Sequence, residues 1–367
     1  MDKKFYSDVP HSVFNFLNDL RKDEIYLYQP SLEGVTKKGN LISLGYSCYA
    51  VKIYFMVSEW EELNQDVQNE WMQYINSFQT DNNRFPKNSY IDQHFLDSYS
   101  NFGLTENIKY GIKSALNTFN IGKYDTKNII LRKSINAETK QAVSTLSELN
   151  YKSNKIVEFP FKDSPELLHY LNSLNWETPW TSGAQFSSLC VFSRTQEDKY
   201  RKELEDFIGN LANKETGSYH SKELSNKREI INGAMKVISG LDWLDIPIHH
   251  PKKLIDFCLS NVPHSEGCDV VDFVYVLYKC SREVNYKKKE INNLFIEILD
   301  QIKTLYNDKD GAFSYFKNKS QTHYYGVEIT KGLNRADIHG SVLCLWAILM
   351  ILDNLEIKDH KLKIIKP

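Results

Sequence analysis

The chain has 367 residues, and its 45 lysines and arginines balance 47 aspartates and glutamates to a formal net charge of -2 at pH 7. That balance leaves no electrostatic footprint for a nucleic acid or an anionic membrane. The short basic runs, Lys287-Lys288-Lys289 and the tail from Lys358 to Lys366, have acids within or beside them and read as solvated faces.

The first residues, Met1-Asp2-Lys3-Lys4-Phe5, lack the apolar core of a signal peptide, and no apolar stretch of about eighteen residues is present. Cys48, Cys190, Cys258, Cys268, Cys280 and Cys344 are scattered, mostly in apolar runs where a thiol packs as a small hydrophobe. Both features predict a cytoplasmic protein without a transmembrane segment.

In chain order, residues 1–40 read as an N-terminal extension, with room for a short strand around 24–29. Residues 41–355 carry a repeat of small or polar openings followed by dense apolar helices, and 356–367 form a tail. The openings fall at Gly45, Ala137, Gly183, Asn232, Gly267 and Asp337. Most lie roughly 35 to 50 residues apart, the spacing of helix pairs. A second short strand is possible at 155–159.

Amphipathic helices lie between the apolar ones, around Trp71, Leu204, Leu254 and Ile298, and each runs into a polar turn such as Asp81-Asn82-Asn83 or His264-Ser265-Glu266. The apolar helices have no solvent face, whereas the amphipathic ones bury a single stripe. Such alternation predicts an all-α fold, an α/α toroid whose inner helices are wrapped by outer ones. An open solenoid is the rival, but its inner helices would face solvent and be more polar.

Inner helices in a ring bring their N-terminal ends to one mouth, where helix dipoles favour anions. Candidates there are Tyr46, Ser47, Trp180, Gln185, Asn232, Cys268, Asp269, Asp272, Asp337 and His339. The long segment 311–336 adds Tyr315, His323, Tyr324, Tyr325 and Lys331 and reads as a binding loop. Asp269 and Asp272 lie three apart on one helix face, so each can raise the other's pKa and suit acid work. Helix capping is the plain alternative for Asp269 and Asp337. His339 opens a wholly apolar helix and needs a partner there. Cys268, Asp269 and His339 also offer the mixed sulfur, oxygen and nitrogen set that zinc accepts, although no compact metal-binding spacing is present. No phosphate-binding glycine loop and no Gly-x-Ser-x-Gly elbow occurs.

The repeat over roughly residues 40 to 355 resembles the terpenoid cyclase and protein prenyltransferase toroid superfamily. Gly267-Cys268-Asp269 and Asp337-Ile338-His339 are similar to the zinc-binding segments of prenyltransferase β-subunits, with the Asp and Cys order changed. Asp269-Val270-Val271-Asp272 is an incomplete cyclase acid motif. The resemblance implies an enzyme acting on a prenyl or other apolar substrate in an aromatic-lined cavity, with Asp269, Asp272, Asp337 and His339 catalytic and zinc as a possible cofactor. Trp180, Gln185, Tyr315, His323, Tyr324, Tyr325 and Lys331 would then bind substrate. The residues themselves leave two other readings open. One is a carbohydrate-active toroid, of epimerase, lyase or glycosidase type, working on a small-molecule or lipid-linked sugar in cell-surface glycan biosynthesis. The other is a non-catalytic binding or scaffold protein. Arg132 is a further groove candidate for the carbohydrate reading.

Overall fold

The computed structural model describes residues 2–100, 126–221, 226–263, 267–357 and 361–367. The predicted turn at His264-Ser265-Glu266 and the tail residues 358–360 lie outside the described residues.

Among the described residues, fourteen helices carry the fold. They are α1 (Lys3–Leu20), α2 (Lys37–Leu41), α3 (Leu44–Met56), α4 (Gln65–Ser77), α5 (Gln93–Ser100), α6 (Lys127–Glu148), α7 (Ser164–Ser173), α8 (Pro179–Arg194), α9 (Arg201–Leu211), α10 (Lys227–Trp243), α11 (Pro251–Leu259), α12 (Cys268–Glu283), α13 (Lys288–Lys303) and α14 (Ile338–Asn354). Among the described residues the strands are two-residue pairs, β1 with β2 (Gln79–Thr80, Ser89–Tyr90), β3 with β4 (Tyr306–Asn307, Ala312–Phe313) and β5 with β6 (His323–Tyr324, Val327–Glu328).

The ring closes. Contacts run from α3 to α6, α8, α10, α12 and α14, and α14 packs back on α3. Outside it, α1 covers α14 and α3, α4 covers α3 and α6, α9 leans on α8, α11 on α12, and α13 on α12 and α14. This is the α/α toroid that the alternation of apolar and amphipathic helices predicts. Burial follows the pattern, since α14 is buried at every position except His339, Leu343 and Asp353, while α13 buries Ile291, Leu294, Phe295, Ile298, Leu299 and Ile302 along one stripe.

Two expectations need correcting. Ala137 does not open a helix but lies within α6, which begins at Lys127 where the Thr126 side chain accepts from the Ile129 N–H. The strand expected at 155–159 is irregular backbone, and residues 24–29 yield only an isolated bridge between Arg21 and Tyr28.

The far end of the ring is crossed by the tail. The Lys363 N–H bonds to the Met56 carbonyl at 3.0 Å, Lys366 N–H to Glu148 Oε1 at 3.2 Å, and Trp243 Nε1 to the Pro367 carbonyl at 2.8 Å. These bonds tie the C-terminal ends of α3, α6 and α10 together.

At the opposite mouth, Gly340 lets the 313–315 backbone lie directly on α14. A Cβ there would sit 2.4 Å from the Tyr315 nitrogen and 2.5 Å from the Ser314 carbonyl carbon. Gly340→Ala is therefore expected to cost about 1–3 kcal/mol through forced backbone displacement, measured as a drop in urea midpoint with an unchanged slope.

Candidate functional site

Asp337 caps α14 and does more. Its Oδ1 accepts from Gly340 N–H at 2.8 Å, and its Oδ2 accepts from Tyr315 N–H at 2.8 Å and Gln321 N–H at 2.9 Å. Burial pushes its pKa up to about 6, while these N–H groups pull it the other way. With both oxygens committed, Asp337 is a hub that positions the loop.

The loop that it holds delivers Tyr315. The ring of Tyr315 stacks on His339 at 5.0 Å and Tyr49 stacks on the other face at 4.8 Å, so the imidazole is clamped between two phenols. Burial, with the charges of Lys236 and Lys52, lowers the His339 pKa to about 3, which keeps it neutral. Among the described residues its Nδ1 has no hydrogen-bond partner. The Tyr315 hydroxyl donates to Cys268 Sγ at 3.0 Å, and burial pushes that thiol up to about 11. Gly267 makes this contact possible, because its φ of +66° starts α12 and a Cβ would meet the Tyr315 ring at 2.7 Å.

Asp269 turns away from that group. Arg228 Nε donates to its Oδ1 at 2.8 Å and Asn232 Nδ2 at 2.7 Å. It therefore lies in the first turn of α12 with its carboxylate taken by α10, and it does not cap the helix. The Arg228 guanidinium also lies 5.3 Å from the Trp180 ring, and Glu229 Oε1 accepts from the Trp180 N–H at 2.9 Å. Beside Asp269 a recess of about 320 Å³ is lined by Arg228, Asn232, Asn261, Val262 and Pro263 among others, a volume at the lower end of the range for small-molecule sites.

Asp272, one turn on, points inward. It is 2 % exposed, its Oδ1 lies 3.7 Å from Lys236 Nζ, and its Oδ2 has no partner. Burial, opposed by Lys236 and reinforced by Asp269, raises its pKa to about 6. The lumen below the mouth is polar. Lys140 on α6 is acted on by Lys236 of α10 and Lys52 of α3. Those helices are not all ring neighbours, so Lys140 feels positive charge from across the ring. Burial first, then the other two charges, brings Lys140 down to about 7.

A third group surrounds Glu138 on α6, which is 1 % exposed and has no hydrogen bond to either oxygen. Burial, with Asp92, holds its pKa well above the usual carboxylate range, and the phenol of Tyr324 is the polar group beside it. Tyr324 packs near Tyr46 at 5.8 Å and against Tyr325 at 4.6 Å. Both tyrosines thus reach the mouth, as expected.

Other candidates fall elsewhere. His323 is exposed and bonds only to Thr322 Oγ1 at 3.0 Å. Lys331 is exposed and pairs with Glu328 at 3.0 Å. Neither joins the cluster, since His323, on β5, and Lys331, just after β6, are both exposed. Gln185 is buried and accepts from Asn136 at 3.0 Å. Ser47 accepts from Trp71 Nε1 at 2.8 Å, and the exposed Arg132 donates to the Arg84 carbonyl at 3.2 Å.

The proposed zinc set does not assemble. Among the described residues no three His, Cys, Asp or Glu side chains form a metal-ligating group, since Cys268 is held by Tyr315, Asp269 by Arg228 and Asn232, and His339 by stacking. The residues present do not fit zinc. The sequence reading missed Arg228, Glu138, Tyr49 and the three lysines. A lysine inside an otherwise apolar helix, as in Tyr49-Ala50-Val51-Lys52-Ile53, is the signal that was there to find.

No protein-family model and no curated protein sequence matches this chain. Among solved structures, a chain from Salmonella enterica subsp. enterica serovar Paratyphi A, described as a possible member of the GH105 family, is similar at 13% identity and a TM-score of 0.42, over 97% of this chain and 95% of that one. Likeness of that degree assigns neither activity nor site. No described helix is long and apolar enough to cross a membrane.

The raised pKa of Asp272 sets a pH dependence. Its folded value of about 6 exceeds the reference 3.8, so its contribution to stability is full below the unfolded pKa and is lost as pH rises through the folded one. Asp272→Asn is therefore expected to raise Tm above pH 6 relative to wild type, with the gain shrinking between pH 6 and 4. A gain independent of pH contradicts this. Asp337→Asn, in contrast, is expected to destabilise by about 1–3 kcal/mol at pH 7, read from denaturant unfolding.

Proposed function

We propose that the protein is a carbohydrate-active enzyme of the toroid class, with a polar substrate bound at the N-terminal mouth of the ring and Asp272 as the proton-transferring carboxyl. The polar lumen carries this reading. An apolar prenyl chain needs apolar walls, whereas here Lys52, Lys140, Lys236 and Asp272 meet in the interior. Sugars, with many hydroxyls, match unpartnered polar atoms and a mixed aromatic and charged platform.

In this reading Trp180, flanked by Arg228, stacks on a sugar face, while Asp269 and Asn232 accept and donate to hydroxyls at the recess. Asp272 has a pKa near the working range, which suits a group that both gives and takes a proton. Epimerisation, elimination and glycosidic cleavage each need such a transfer. His339, neutral and clamped, offers Nδ1 as a fixed polar atom and not as a charge.

The test is incubation of the purified protein with a panel of neutral and acidic oligosaccharides and of prenyl diphosphates, with products read by mass spectrometry. Turnover of a saccharide is expected, and Asp272→Asn is expected to slow it roughly 10²- to 10⁴-fold without loss of the folded state. Turnover of a prenyl diphosphate alone overturns the reading.

A further inference from the structure

Lys52, Lys140 and Lys236 come from three helices of the ring and share its lumen. Each is half-buried. Lys236 has Asp272 at 3.7 Å, but among the described residues neither Lys52 nor Lys140 has a hydrogen bond or an ion pair. Lysine is rarely held in an interior without a counter-charge, because removing an ammonium group from water is costly. Glu148 acts on Lys52, and Asp272 on Lys140 and Lys236, so two carboxylates face three amines and the lumen is short of negative charge.

Two further atoms on the lumen side lack partners. Asp272 Oδ2 and Trp346 Nε1 are buried and unbonded, in side chains that are 2 % and 3 % exposed. Trp346 follows His339 and Leu343 at helical spacing, so it lies on the stripe of α14 that faces the interior. Among the described residues, donors without partners and a titratable acid thus lie together on the inner helices.

We propose that Lys52, Lys140 and Lys236 form an anion-binding site in the lumen that takes a carboxylate or phosphate group carried by the substrate. Trp346 Nε1 adds a neutral donor, and Asp272, when protonated, donates as well. A bound anion supplies the missing counter-charge, so binding also draws protons onto the amines. Burial and the charges of Lys236 and Lys52 hold Lys140 down to about 7. The identity of the substrate as a sugar rests on the reading above, but the site itself does not.

Calorimetric titration of the full chain at pH 7 with glucose, glucuronate, glucose 6-phosphate and inorganic phosphate tests this. At least one charged sugar is expected to bind about ten-fold or more tighter than glucose, a gap of about 1.4 kcal/mol. Whether glucuronate or glucose 6-phosphate wins identifies the source of the anion. Lys140→Met and Lys52→Met are each expected to remove that advantage, Lys140→Arg to keep most of it, and the surface change Lys87→Met to leave it intact. Lys140→Met should keep or raise Tm while binding falls, which a merely structural lysine would not do. If Lys140→Met fails to fold, Lys52→Met and Lys140→Arg still decide the matter.

Charged sugars that bind no better than glucose, or an advantage that survives in the Lys52 and Lys140 variants, overturn the site. Saccharide turnover that depends on Asp272 but not on these lysines leaves the carbohydrate reading standing without the anion site. Phosphate binding that depends on Lys140, with no saccharide turned over, does the reverse.

Discussion

The carboxylate of Asp337 gathers backbone N–H groups from three places in the chain, at Gly340, Tyr315 and Gln321, and most of the mouth follows from that one buried group. It caps a helix that has almost no solvent face, so its first-turn donors cannot be left to water. By fixing Tyr315 it also fixes the ring against His339 and the hydroxyl against Cys268. Gly340 and Gly267 are the steric conditions for this arrangement, each leaving space that a Cβ would take. The geometry of the mouth therefore depends on one buried aspartate.

The ring was legible because burial is written in composition. An inner helix such as α14 must be apolar on all sides, and an outer helix such as α13 on one side only, so the alternation can be read without knowing a single contact. The mouth was legible as a location for the same reason, since inner helices in a ring share a direction. What the sequence does not encode locally is which side chains meet. Asp269 and Cys268 are neighbours in the chain, yet Asp269 is drawn to Arg228 and Asn232 on α10 while Cys268 faces Tyr315. That divergence separates the set from which a zinc site was expected. The start of α6 was misplaced at Ala137 because the helix carries polar residues such as Glu138 and Thr139 in its buried face, which breaks the apolar signature.

The lumen is where stability and function pull in opposite directions. Half-buried lysines and a buried aspartate with an unpartnered oxygen are expensive to fold around. The tail that spans the far end, through Lys363, Lys366 and Pro367, ties the C-terminal ends of three inner helices, so the mouth built on Asp337 is the side on which helix dipoles, aromatic rings and titratable groups converge. Strain retained at such a place is a common mark of a working site.

A crystal structure of the chain soaked with a sugar acid or a sugar phosphate tests the central claim most directly. The account predicts density at the N-terminal mouth, with the anionic group among Lys52, Lys140 and Lys236 and a sugar oxygen within hydrogen-bond reach of Asp272. Density confined to the outer helices, with the lumen unchanged, would contradict it.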